Sequence, residues 1–524
     1  MSRNEISKMS ATQSSDGLKS WLESIDMFRQ PQVIGMLFLG ISAGIPLLLM
    51  FSSLSLWLRE SGVDRSAVTY FSWAALGYSF KFVWAPLVDR LSLPFLTEKL
   101  GRRRSWLLLS QVLIMFSIVA MALIDPAAPQ TLTLMAVAAV FLGFSAATQD
   151  IVIDAYRIES AEENLQAMMS ASYIAGYRVG MLIAGAGALY LAAYLGSTAE
   201  QYNYFAWKST YLIMASMMII GLVTTLLITE PSEQDNTTAG LKNEIGLLLL
   251  FAFAVIGFIG CYLFSSDLVQ PLSLRLSQIV GNHHLASFVI ELFRLLVALF
   301  VATTIAKLLI RAQIVEPTQF QKAYIDPVRD FFERYGLTLA WTLLALIGFY
   351  RISDIVLGVI SNVFYQDLGF TKTTIANAVK LFGLFMTILG GFLGGIMAIR
   401  FGVIRVLFLG AVLSSATNLL FVLLAQVGMD INLLYLVVAA DNLCAGLASA
   451  AFVAFLSSLT NVSFTATQYA IFSSLMTLLP KVIGGYSGSI VEGLGYETFF
   501  TITTLMGLPV LLLIIAINRQ LRDK

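Results

Sequence analysis

Fourteen stretches of this chain are each long and apolar enough to cross a bilayer, and no other property constrains the fold as strongly. They lie at roughly 32–58, 66–88, 105–124, 131–156, 165–195, 207–229, 245–265, 287–310, 338–365, 371–399, 403–426, 431–459, 466–491 and 496–518. A helical span needs about 20 apolar residues. Little polar sequence remains between them to form a water-facing shell. Only 12% of the 524 residues are charged, against about 25% in soluble domains. The mean hydropathy is +0.81. The segments are too long and too evenly apolar for barrel strands, so the expected fold is an all-α polytopic membrane protein.

Charge then sets sides and excludes partners. Lys and Arg concentrate in alternate connections, such as Lys99 to Arg104, Lys322 to Arg334, and Arg400 with Arg405. Several intervening loops, such as 125–130, carry none. By the positive-inside rule both termini are expected in the cytosol. Formal net charge is zero, which offers nothing for nucleic acid. The two cysteines, Cys261 and Cys444, fall inside spans and form no disulfide framework. The only histidines, His283 and His284, are neighbours and cannot complete a metal site; none is expected. Residues 1–27 are polar and Ser-rich without the layout of a signal peptide, and read as a disordered cytosolic tail.

An internal repeat divides the rest. Gly143 to Arg178 and Gly446 to Lys481 both run as a small-residue helix, a polar turn, and a helix carrying one cation. Two six-helix halves, 28–232 and 337–520, related in this way are the parallel repeat of a rocking transporter. Between them lie a linker, 233–316, with two extra transmembrane helices, and a stretch at 317–336. In that stretch Ile325, Val328, Phe331 and Phe332 have the spacing of a cytosolic amphipathic helix. Glycines at 176 and 180, and at 390, 391, 394 and 395, read as sites of close helix packing.

Charges deep in spans are costly and so mark function or pairing. Lys81, Arg178, Arg351, Lys380 and Lys481 are basic; Asp150, Asp354 and Asp441 are acidic. The basic excess points to a cavity that receives anionic groups such as carboxylates, with acids left for proton coupling. Arg351 and Asp354, three apart, either neutralise each other or form a gating or proton site. Arg178 and Lys481 hold matching repeat positions. Lys81 and Lys380 either face a cavity or snorkel to an interface. Asp441 has no charged neighbour on its own helix and is the leading proton-site candidate, with Asp354 and Asp150 behind it. Trp73, Tyr78, Tyr177 and Tyr350 could stack on sugar faces or simply pack. Glu291 and Arg294 read as a structural pair.

The connection PLVDRLSLPFLTEKLGRRR places Asp89 and Arg90 before the cluster Arg102, Arg103 and Arg104, which serves either as a latch between helix ends or as plain anchoring. This loop resembles the loop motif of the major facilitator superfamily. FSWAALGYSFKFVWAPLVDR, GRRRSWLLLSQ, QDIVIDAYR, GYRVGML, VRDFFERYG and AFVAFLSSLTNVSFTATQYA are similar to the AmpG muropeptide permease family over about 28–232 and 317–520. The resemblance implies an inner-membrane importer of N-acetylglucosaminyl-1,6-anhydro-N-acetylmuramic acid and its peptides. It further implies a role in peptidoglycan recycling and β-lactamase induction, and drive by the proton gradient without a cofactor. It draws attention to Gln149, Asp150 and Asp154 in QDIVIDA, to Lys81, to Arg178 and to Lys380. The extra helices of 233–316 depart from the family's twelve-span plan.

The expected mechanism is alternating access, with substrate carboxylates on Arg178, Lys81 and Lys380, and with no partner beyond substrate and lipid; a monomer suffices. A related transporter of another anionic metabolite, such as acetyl-CoA, is the nearest alternative. An intramembrane aspartyl protease is disfavoured, because no GxGD occurs and Asp150 and Asp154 share a helix. Counting about 1.5 Å per residue from Thr131 puts Asp150 at the cytosolic edge of the bilayer. Asp154 and Arg157 then fall beyond it, with Asp154 as a latch for Arg102 to Arg104 and with Gln149 and Asp150 at the base of the cavity.

Overall fold

The computed structural model describes residues 29–63, 78, 80–128, 130–160, 163–198, 201–231, 241–280, 283–484 and 487–522. The expected tail, most of the second span and Trp73 lie outside these residues. Among the described residues, thirteen helices are long and apolar enough to cross a membrane.

The first span is two helices, α1 (Pro31–Met50) and α2 (Ser52–Glu60), which meet at Phe51 downstream of Pro46. Pro46 removes one rung of the hydrogen-bond ladder. The second span ends as a 3₁₀ turn at Lys81–Val83 followed by α3 (Ala85–Arg90). After α4 (Leu96–Leu100), Gly101 takes φ +84° and the chain enters α5 (Arg102–Ala122). Next come α6 (Leu132–Glu159) and α7 (Glu163–Leu182), a π turn at Ile183–Gly187, and α8 (Ala188–Tyr194). The helices α9 (Tyr204–Met217) and α10 (Ile219–Leu227) follow, the former capped by the Asn203 side chain.

Two long helices, α11 (Leu241–Val280) and α12 (His283–Arg311), pack on each other. Arg294 donates to Ser265 and to the Tyr262 carbonyl and lies 4.6 Å over the Tyr262 ring. The Glu291 side chain expected to pair with Arg294 lies outside the described residues. Phe264 and Phe300 of this pair are exposed. Then α13 (Pro317–Phe320), a π turn at Gln321–Ile325 and α14 (Asp326–Phe349) form one run broken at Gly336, where φ is +74°. The run continues as α15 (Ile352–Asp367) after a second break at Tyr350 and Arg351. The remaining elements are α16 (Lys372–Ile375), a π turn at Ala376–Phe382, α17 (Gly383–Phe401), α18 (Val403–Val427), α19 (Ile431–Leu459), α20 (Thr465–Gly484), α21 (Ser487–Leu505) and α22 (Gly507–Arg522). Gly495, at φ +78°, separates the last two spans inside α21.

Residues 86–92 and 235–330 form one compact unit, and the rest forms another. The larger unit contains three apolar cores. One is made only of residues before 220, among them Trp57, Trp207 and Tyr211. A second is made only of residues after 350, among them Phe364, Phe421 and Phe500. The third mixes both halves: Ile158 and Ala167 join Phe331, Leu459, Phe472 and others. It lies at the end of the bundle that carries Arg102 to Arg104, Arg334, Arg400 and Arg405, called the basic end below. The halves therefore share a core at the basic end and keep separate cores at the other.

Candidate functional site

Close glycine contacts fix the helices that present the central side chains. A Cβ at Gly40 would lie 2.3 Å from the Tyr173 carbonyl, and one at Gly44 would lie 2.1 Å from that of Tyr177. In return, one at Gly176 would lie 1.9 Å from the Leu37 carbonyl. So α1 and α7 pack backbone to backbone, and α7 cannot rotate without clashing. Its Tyr173, Tyr177 and Arg178 are held by that packing. Gly390 and Gly446 do the same for α17 and α19.

In the first half, one lysine serves two carboxylates. Lys81 Nζ lies 3.7 Å from Asp150 and 3.5 Å from Asp154. The lysine is 5% exposed and stands in the 3₁₀ turn, not within a regular helix. Tyr173 donates to Asp150 Oδ1 at 2.9 Å. Arg157, wholly buried, donates to Asp154 Oδ1 at 3.3 Å. Asp154 is therefore inside the protein, and the expectation that it reaches out to Arg102 to Arg104 is corrected. Helix α6 runs on to Glu159, and Glu159 is the acid that Arg103 and Arg102 meet, at 2.5 and 4.0 Å. Arg103 also donates to Thr465 of the second half at 2.7 Å. Asp89 is buried, and Arg90 donates to the Lys322 carbonyl at 3.1 Å.

Gln149 is fully buried, donates to Ser42 at 3.2 Å, and leaves its Oε1 without a hydrogen-bond partner among the described residues. Trp84 donates to Thr148 and anchors the turn that carries Lys81. Tyr78, Tyr173 and Tyr177 form a partly exposed aromatic group around Asp150, with Tyr173 and Tyr177 centroids 5.9 Å apart. Tyr350, by contrast, is buried against Phe452 at 4.3 Å and donates to the Leu407 carbonyl, which removes it from the sugar-stacking candidates.

In the second half, Arg351 pairs with Asp354 at 3.6 Å and donates to Ser449 at 2.7 Å. Ser414 donates to the other oxygen of Asp354. Asp441 lies within electrostatic range of both Asp354 and Arg351, so its partners come from α15 and the preceding break. Arg178 of the first half lies within range of Arg351 of the second, and makes no ion pair among the described residues. Lys380 and Lys481 have exposed side chains, unlike Arg178 at the matching repeat position, and also make no ion pair among the described residues.

Four central cations, Lys81, Arg157, Arg178 and Arg351, thus face four carboxylates, Asp150, Asp154, Asp354 and Asp441. The basic excess noted in the sequence rests on Lys380 and Lys481. Sequence reasoning passed over Tyr173, although it stands one turn before Tyr177 on the same face. It also did not pair Arg157 with Asp154, although Arg157 follows Asp154 by three residues.

Comparison with known proteins agrees with this architecture. Residues 93–315 match the family model described as Major Facilitator Superfamily. A "Putative transporter AmpG 4" of Rickettsia felis is 31% identical over 94% of this chain and 98% of its own length. An "Anhydromuropeptide permease" of Escherichia coli K12 is 28% identical over 94% of this chain and 81% of its own. Among solved structures, the proton:xylose symporter XylE bound to 6-bromo-6-deoxy-D-glucose superposes with a TM-score of 0.58 at 12% identity, covering 95% of this chain and 96% of its own. FucP in the outward conformation gives 0.55 at 13% identity, covering 93% and 97%.

Proposed function

The chain belongs to the AmpG family of the major facilitator superfamily, and on that premise we propose that it imports anhydromuropeptides across the bacterial inner membrane. The cargo is N-acetylglucosaminyl-1,6-anhydro-N-acetylmuramic acid and its peptides, taken up with protons by rocking of the two halves, in the service of peptidoglycan recycling and β-lactamase induction. Both termini and the basic end face the cytosol, in keeping with the distribution of Lys and Arg. On that orientation the structure corresponds to a carrier closed inward and poised toward the outside.

The observation that carries this reading is that Arg178 and Arg351, from opposite halves, lie within electrostatic range of each other. Asp354 balances Arg351, but among the described residues no acid pairs with Arg178. A carboxylate of the substrate, lying between the two guanidinium groups, would supply the missing charge in a bidentate geometry that suits arginine. Lys81 and the tyrosines around Asp150 offer a polar and aromatic face for the sugar. Lys380 and Lys481 add positive potential that favours an anionic cargo. Asp441, Asp354 and Asp150 are the groups where a bound proton would remove a charge before the site closes.

The test is uptake into proteoliposomes of labelled anhydro-disaccharide, with and without a peptide stem, under an imposed pH gradient and with acetyl-CoA as competitor. We expect saturable uptake that the gradient accelerates and acetyl-CoA leaves unchanged. Competition by acetyl-CoA would reassign the cargo, and indifference to the gradient would remove proton coupling. Arg178→Ala is expected to abolish uptake while the protein remains in the membrane.

A further inference from the structure

One residue links the buried charges of the first half to the second half. Arg157 has no exposed surface. One of its nitrogens donates to Ser170 at 3.1 Å and, across the division between the halves, to Ser457 at 2.5 Å. Its other terminal nitrogen donates to Asp154. Its guanidinium carbon lies 5.0 Å from the ring centre of Tyr469, again in the second half. The Nε group, also buried, has no hydrogen-bond partner among the described residues. Among the described residues, one acid holds this buried arginine. That acid, Asp154, shares Lys81 with Asp150, and Asp150 in turn accepts from Tyr173.

We propose that Arg157 is a positioning residue of the transport cycle, tying the halves at the basic end while Asp154 holds it in orientation. The inference rests on the carrier reading above but not on the identity of the cargo. The groups that face the two acids are Lys81, Arg157, Tyr78, Tyr173, Tyr177 and Tyr469. Only Lys81 and Arg157 among them bring positive charge. When either acid takes up a proton, Lys81 has one carboxylate instead of two. If that acid is Asp154, Arg157 also loses its anionic partner. A charge-assisted hydrogen bond becomes a neutral one, and the arginine no longer has a fixed direction toward Ser457 and Tyr469. The basic end is then free to open. The chain from Asp150 to Ser457 is contiguous, with successive distances of 3.7, 3.5, 3.3 and 2.5 Å. It therefore connects the centre of the protein to the closure it controls.

The experiment uses the full-length protein with Cys261 and Cys444 replaced by alanine and one reporter cysteine at Ala167. That alanine is buried in the apolar core shared by the halves. Labelling by a water-soluble maleimide reports opening of the basic end and needs no substrate. Labelling is expected to accelerate as pH falls. Arg157→Gln should label about tenfold faster or more at pH 8, since hydrogen bonds to charged groups are the strong ones, and should no longer respond to pH. Arg157→Lys, which keeps the charge, should retain part of the response. Ser457→Ala, a milder change, should raise the rate with the pH response intact. Wild-type labelling rates in both Arg157→Gln and Ser457→Ala, or a full pH response in Arg157→Gln, would overturn the proposal. Because no cargo is present, these outcomes stand apart from success or failure of muropeptide uptake.

Discussion

Lys81 illustrates what single residues contribute here. It is enclosed, and its ammonium group answers two carboxylates that come from one face of α6. Replacing it with methionine leaves Asp154 with Arg157, and leaves Asp150 with the Tyr173 hydroxyl and no cation among the described residues. Removing one partner of a buried ion pair costs about 3–5 kcal/mol. Lys81→Met should therefore lower the thermal stability of the detergent-solubilised protein strongly, and Lys81→Met with Asp150→Asn should recover part of the loss. Glu230, outside the spans, behaves differently. Its carboxylate accepts from the backbone N–H groups of Arg103 and Arg104 at 2.7 and 3.0 Å, capping the start of α5. Burial nevertheless raises its pKa above the ordinary 4.5, outweighing those two donors. An acid raised in the folded state stabilises below its unfolded pKa, and that contribution is lost as pH rises through the folded value. Glu230→Gln, which does not titrate, should thus gain stability relative to wild type between pH 4 and pH 7, as thermal unfolding in detergent would record. The sequence pointed to Asp150, Asp154 and Lys81 as unusual. It could not pair them, because the lysine lies in another helix, and Ser457 is 300 residues from Arg157.

At the scale of elements, the sequence was most legible where hydrophobic length alone decides. Spans such as Leu132–Glu159 and Val403–Val427 lie within a few residues of their expected limits. It was least legible where helices are irregular. Lys81 sits in a 3₁₀ turn, Arg351 at the break between α14 and α15, and Lys380 in a π turn. Neither Pro nor Gly stands at Arg351 or Lys380, so nothing local announces these departures; they arise from packing against other helices. Irregular turns of this kind free backbone groups and often accompany function. The glycine seams between α1 and α7 are a contrast, since their spacing can be read directly. Gly176→Ala, whose added carbon would meet the Leu37 carbonyl at 1.9 Å, should cost about 1–3 kcal/mol in thermal stability and reduce uptake. Gly187→Ala, with its nearest neighbour at 3.9 Å, should change neither.

At the scale of the whole molecule, the division into two separate cores and one shared core was beyond sequence patterning. Residues of all three have the same apolar character, and only the tertiary arrangement assigns Ile158 and Ala167 to the mixed one. The balance of the central charges has a consequence of an electrical kind. Lys81, Arg157, Arg178 and Arg351 are matched in number by Asp150, Asp154, Asp354 and Asp441, and Lys380 and Lys481 leave the interior of the unloaded carrier with an excess of two positive charges. Each elementary charge moved through the membrane field is worth about 2.3 kcal/mol per 100 mV. An interior with that excess feels the field when the halves rock. Return of the empty carrier should respond to a potassium diffusion potential set with valinomycin, and a cargo carboxylate seated between Arg178 and Arg351 should reduce that response.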